Sequence, residues 1–77
     1  MNKLAPVKRK KFEKFLNYAG CHLKRQKGDH LIYDRVGLRR PVVITTDSEV
    51  PIFIIRSNLR SLNIPIKEYL KIMSHLN

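Results

Sequence analysis

The apolar positions along the chain change period several times, and each change predicts an element. Between Pro6 and Gly20, the residues Phe12, Phe15, Leu16 and Ala19 recur at the three-to-four-residue spacing of one helical face. Pro6 suits the entrance of a helix, and Gly20 stands where a left-handed residue commonly ends one. A first helix is predicted over Val7 to Ala19. Its opposite face carries Lys8, Arg9, Lys10, Lys11 and Lys14, and cations in a first turn oppose the helix dipole, a small cost that packing or an anionic partner must offset.

From Cys21 the period becomes two. Cys21, Leu23 and Arg25 alternate with His22, Lys24 and Gln26, the signature of a strand. Lys27-Gly28-Asp29 has turn chemistry, because glycine accepts positive φ and aspartate bonds nearby backbone amides. His30 to Asp34 comes next as a second strand, antiparallel to the first. Arg35-Val36-Gly37-Leu38 makes another turn, and Arg40 to Thr45 a third strand, with Pro41 indicating a strand end or an edge. Thr45 to Val50 is polar and reads as a loop, with Asp47 or Ser48 available to cap a second helix. After Pro51, residues Ile52, Ile55, Leu59 and Leu62 share the face of that helix up to a stop at Asn63. Pro65 opens a third helix with Glu68 in its first turn and an apolar stripe of Tyr69, Leu70 and Met73. The order α-β-β-β-α-α predicts an α+β fold, with a three-stranded antiparallel sheet whose helices cover one face and whose other face is left for solvent or a partner.

Length and charge narrow the function. A chain of 77 residues is expected to form one domain over residues 1–77 with a thin core, since domains this small bury only about 60% of their unfolded surface. An active site would then be a surface patch or a groove. A net charge of +10 attracts polyanions, with nucleic acid first and an acidic protein or an anionic membrane next. Cys21 is the only cysteine, so neither an intramolecular disulfide nor a cysteine zinc site can form, and a reducing cytoplasm is the expected setting. No apolar run approaches the roughly 18 residues of a membrane span, and no signal-peptide core follows the basic N-terminus.

Three histidines could carry chemistry. His75 lies at the end of the third helix, where a cationic ring suits the dipole. His22 alternates outward with Lys24 and reads as an exposed strand residue that could touch phosphate. His30 stands apart, coming just after a glycine turn with Arg25 and Lys27 nearby in sequence. Metal-ligand spacings, paired carboxylates and a phosphate loop are missing, so no metal and no cofactor is expected. Ser57 and Ser61 lack a nucleophile-elbow context. RNA needs little more than one imidazole and cations. Its 2′-OH attacks the adjacent phosphorus once a base removes the proton, an acid protonates the leaving oxygen, and cations stabilise the phosphoryl charge. A lone base beside cations, or one histidine from each of two protomers, would serve. Lys24, Arg25, Lys27, Arg39 and Arg40 are candidates for phosphate contact, alongside Gly28 of the turn; the plainer reading of each cation is a solvated charge.

The segment Arg25-Gln26-Lys27-Gly28-Asp29-His30 resembles the Arg-x-x-Gly-Ser-His-like motif of the HicA (YcfA-like) toxins of bacterial type II toxin-antitoxin modules. The similarity spans nearly the whole chain: the lysine-rich first helix ending in Ala19-Gly20, then Ile32-Tyr33, a glycine-containing hairpin, a valine-rich third strand, and Ile64-Pro65-Ile66-Lys67-Glu68-Tyr69-Leu70. The resemblance implies a double-stranded-RNA-binding-domain-like fold and an mRNA interferase activity that depends on His30. It also implies a cognate HicB antitoxin that masks the site, in a toxin-antitoxin complex that can be of higher order. Three positions depart from the family pattern. Asp29 replaces the usual serine, Asp47 stands where many members have a second histidine, and Cys21 occupies a position that is frequently aromatic. A non-catalytic RNA-binding module is the alternative function, and a basic partner for an acidic protein a third.

Overall fold

The computed structural model describes residues 3–76. The elements are β1 (Val7–Lys8), α1 (Arg9–Tyr18), β2 (His22–Lys27), β3 (His30–Asp34), β4 (Val42–Thr45), β5 (Glu49–Val50), α2 (Ile52–Leu62) and α3 (Ile66–Met73). Strands β2, β3 and β4 form an antiparallel sheet in that order. The result is the expected α+β architecture, a three-stranded antiparallel sheet with helices on one face.

The core lies between that face and the helices. Leu31, Tyr33, Val42 and Ile44 of the sheet are buried against Phe12, Phe15 and Leu16 of α1, Ile55, Leu59 and Leu62 of α2, and Tyr69 and Met73 of α3. Phe15 and Tyr69 meet edge to face with ring centroids 4.9 Å apart, the arrangement favoured by aromatic quadrupoles. Cys21 is fully buried in the same core, and burial pushes its thiol pKa up.

Both long helices end as the sequence predicts. Gly20 (φ +89°) and Asn63 (φ 58°) are left-handed, and in each case two amides fold back onto the last turn, Gly20 N–H to Asn17 O and Cys21 N–H to Leu16 O in α1, Asn63 N–H to Arg60 O and Ile64 N–H to Leu59 O in α2. Arg35 joins these two ends. Its guanidinium donates to the carbonyls of Ala19 (2.8 Å) and Leu62 (3.3 Å), placing one cation at the negative poles of two helix dipoles.

Three local expectations are corrected. Helix α1 begins at Arg9 rather than Val7, because Val7 and Lys8 pair antiparallel with Glu49 and Val50 inside the segment expected to be a loop. The opposed valines drive that pairing, Val50 being buried and Val7 packing against the core. Neither Asp47 nor Ser48 caps α2, whose N-cap is Pro51 without a side-chain hydrogen bond. Asp47 instead accepts from the Thr45 hydroxyl, and the Ser48 carbonyl accepts from Arg9 N–H. The alternation along β2 is broken by a bulge between Leu23 and Arg25, with consequences for the site.

Candidate functional site

The register of the sheet decides which side chains share a face with His30. Leu31 and Tyr33 point into the core, so His30, Ile32 and Asp34 point to the open side. Directly opposed residues of antiparallel strands share a face. His30 is opposed by Lys27 on β2 and Thr45 on β4, and Ile32 by Arg25 and Val43. Strict alternation from Cys21 and Leu23 would have turned Arg25 and Lys27 toward the helices. The bulge inserts one extra residue, Lys24, and moves both cations onto the face of His30. Lys24 also reaches this side, its Nζ 3.7 Å from Asp34 Oδ2, at the end of β3 away from His30.

The turn that presents His30 is held at several points. Gly28 has φ +61° with nothing near its missing Cβ, so the left-handed conformation and not crowding calls for glycine. Gln26 Nε2 donates to the Gly28 carbonyl at 2.9 Å, and Thr46 N–H donates to the Asp29 carbonyl at 3.0 Å. The Asp29 carboxylate Oδ1 then lies 3.1 Å from His30 Nδ1. Simple alternation would have sent adjacent Asp29 and His30 to opposite sides, but the turn relaxes it. With Nδ1 facing the carboxylate, Nε2 is the ring nitrogen left for a substrate, on a side chain 55% exposed.

Beside His30 a groove of about 350 Å³ runs along the outer edge of β4, between that strand and α2. Arg40, Pro41, Val43 and Thr45 line one wall, and Ile54, Ser57, Asn58 and Ser61 the other. Asn58 is buried and its Nδ2 donates to the Val43 carbonyl at 3.4 Å, tying α2 to the outer edge of β4. Arg40 also borders an adjoining hollow of about 250 Å³ formed with Arg39, Arg60 and Ser61. Of the residues singled out from sequence, Arg25 and Lys27 therefore share the face of His30. Arg40 lines the groove at its far end, before Val42, whereas His30 is opposed by Thr45 at the other end of β4. Gly28 shapes the turn, Arg39 lies one hollow away, and Lys24 is farther along the strand. Arg60 and Asn58 were not among them, and Ser57 and Ser61, set aside as nucleophiles, line the groove. The four-residue repeats Ile54/Asn58 and Ser57/Ser61 on α2 were the available signal.

The other histidines lie elsewhere. His22 is exposed opposite Asp34, and His75 follows α3 beside Tyr18 in a hollow that shares no lining residue with the His30 groove. Among the described residues no group of three or more His, Cys, Asp or Glu side chains gathers to hold a metal ion, and no helix is long and apolar enough to cross a membrane.

Fold and face together define a small, strongly basic α+β domain of the double-stranded-RNA-binding-domain-like type, with an accessible histidine among cations. The family model described as the HicA toxin of bacterial toxin-antitoxin matches residues 9–64, and the chain belongs to the HicA toxin family. It is thus the toxin of a toxin-antitoxin module, whose partner is an antitoxin. Neither a curated protein nor a solved structure matches it.

Proposed function

We propose that this toxin is a metal-independent endoribonuclease of the cytoplasm that cleaves mRNA, with His30 as the proton-transfer group and a HicB-like antitoxin as the protein that masks it. The observation that carries the reading is the position of His30, half-exposed at a groove mouth, directly opposite Lys27 and on one face with Arg25. In the proposed reaction His30 Nε2 accepts the 2′-OH proton, the P–O2′ bond forms and the P–O5′ bond breaks. The departing 5′-oxygen takes a proton from solvent or back from the ring, leaving a cyclic phosphate and a 5′-hydroxyl. Lys27 and Arg25 supply positive charge where the phosphorane accumulates negative charge, and Arg40 offers a cation to the strand farther along the groove.

Replacing His30 with Ala tests it. Circular dichroism should be unchanged, since the ring lies outside the core, while RNA cleavage and growth arrest disappear and RNA binding stays. Retained cleavage removes His30 from the mechanism. Intact RNA in the wild-type reaction, with binding that weakens steeply with salt, would select the non-catalytic RNA-binding module instead. Cleavage abolished by EDTA would contradict the metal-free scheme.

A further inference from the structure

Helix α1 presents a second basic hollow, of about 440 Å³, which the catalytic proposal does not use. It is lined by Lys8, Arg9, Lys10, Lys11, Lys14 and Ser48, five cations and one hydroxyl with no carboxylate. Arg9 is committed elsewhere, its guanidinium bonding Glu13 and the Thr46 carbonyl. No ion pair among the described residues engages Lys8, Lys10 or Lys11. The first turn of α1 contains no acidic residue, and its N-cap, Lys8, makes no side-chain cap bond. The Arg9 amide is satisfied by the Ser48 carbonyl, but the positive pole of the helix and these three ammonium groups face one concave surface. In the isolated chain this arrangement is electrostatically unfavourable; an anion would relieve it.

The hollow and the His30 groove have lining residues at the two ends of one turn. Thr45 lines the His30 groove and Ser48 lines the α1 hollow, so only three residue steps, at most about 11 Å of chain, separate them. The intervening turn is braced on both sides, by Thr46 N–H to the Asp29 carbonyl and by Arg9 to the Thr46 carbonyl. We infer that the α1 hollow binds a second stretch of the RNA phosphate backbone, so that a strand seated at His30 continues around the Thr45–Ser48 turn onto Lys8, Lys10 and Lys11. This rests on the RNA reading above and deepens it: the substrate is a strand several nucleotides longer than the scissile step. RNA is favoured over an acidic protein surface because the hollow holds only cations and a hydroxyl and adjoins the face where the phosphodiester is proposed to react.

The test uses the full chain with His30→Ala, so that RNA stays intact, and adds Lys8→Ala, Lys10→Ala and Lys11→Ala together. Removing like charges should not impair folding, and the same three positions as Arg should restore the behaviour. Binding is measured against salt for unstructured RNAs of about 20 and about 4 nucleotides, the shorter at the lower limit of single-strand site sizes. The triple variant should bind the longer RNA about tenfold or more weakly, with a salt slope reduced by about 2, and bind the shorter one as before. An unchanged slope and affinity for the longer RNA, while Lys27→Ala weakens both lengths, would overturn the α1 assignment and leave the RNA reading standing. Loss of affinity for the purified antitoxin with RNA binding unaffected would likewise overturn it, in favour of a protein-docking surface. Failure of the His30→Ala chain to bind either RNA would overturn the RNA reading itself.

Discussion

Lys27 and His30 stand directly opposite one another across the β2–β3 pair, closing the turn that carries Gly28 and Asp29. No ion pair engages Lys27 among the described residues, whereas Lys24 is 3.7 Å from Asp34. Two lysines of one strand are therefore expected to differ in effect. Lys27→Ala should lower kcat/KM for RNA cleavage about tenfold to a hundredfold, the loss of about 1.4 to 2.7 kcal/mol of transition-state stabilisation. Lys24→Ala should change it less than about threefold, its charge being partly offset and distant from the ring. Equal effects in a steady-state cleavage assay would mean that net charge, not position, governs the reaction.

Asp29 separates this chain from the serine usual at that place in the family it resembles, and its carboxylate faces His30 Nδ1 at 3.1 Å. In the proposed reaction a carboxylate there fixes the ring and leaves Nε2 outward, and Asp29 is proposed as a positioning residue. Asp29→Ala should lower kcat about tenfold with KM nearly unchanged, and Asp29→Asn, which keeps an oxygen toward Nδ1, should recover much of it. If instead Asp29→Ala lowers KM and leaves kcat intact, the carboxylate acts mainly by repelling phosphate.

The fold class was legible because its signals are periodic and redundant: Phe12, Phe15 and Leu16 on one helix, alternating Leu31 and Tyr33 on a strand, Gly20 and Asn63 at helix ends. The local corrections share a different cause. A two-residue pairing such as Val7–Lys8 with Glu49–Val50 has no period to detect and depends on contacts some 40 residues apart. The bulge at Lys24 lies in a strand exposed on every residue, so no buried side chain marks the step at which alternation resets. The surroundings of His30, a glycine turn with Lys27 and Arg25 close by, were legible in the sequence. The α2 wall of its groove was not, because Ser57, Asn58 and Ser61 acquire meaning only when α2 docks on the edge of β4.

Arg35 yields a stability prediction independent of function. Its two donor bonds, to Ala19 and Leu62, satisfy carbonyls at the ends of α1 and α2 that lack other partners in the helices. Arg35→Ala should destabilise the fold by about 2 to 4 kcal/mol in urea unfolding, since each hydrogen bond involving a charged group contributes about 1.5 to 3 kcal/mol and the two share one side chain. Arg35→Lys should recover less than half, because a single ammonium cannot span both carbonyls as the planar fork does.

Alkaline unfolding provides the last prediction, with the sign fixed by three groups that all shift one way. Burial raises the pKa of Cys21, burial together with the hydrogen bond from its hydroxyl to Glu13 (2.6 Å) raises that of Tyr33, and burial pushes Tyr69 up to about 12. Below the ordinary thiol and phenol values of about 8.5 and 10, folded and unfolded chains are protonated alike at these sites and their full contribution is present. As pH rises through those values the unfolded chain ionises first, so stability falls, by about 1.4 kcal/mol per pH unit for each group, until the folded groups titrate in turn. Thermal melts should therefore lose Tm progressively above about pH 9. The two tyrosines are distinguishable within this loss. Tyr69 has a buried hydroxyl with no hydrogen-bond partner among the described residues, so Tyr69→Phe should be neutral or stabilising by up to about 1 kcal/mol at pH 7 and should flatten the alkaline decline. Tyr33→Phe should flatten it too, but at a cost of about 1 to 3 kcal/mol at pH 7, because Glu13 keeps the Arg9 guanidinium at Oε2 and loses the donor at Oε1. An alkaline decline identical in wild type and Tyr69→Phe would show that this phenol ionises without opening the core.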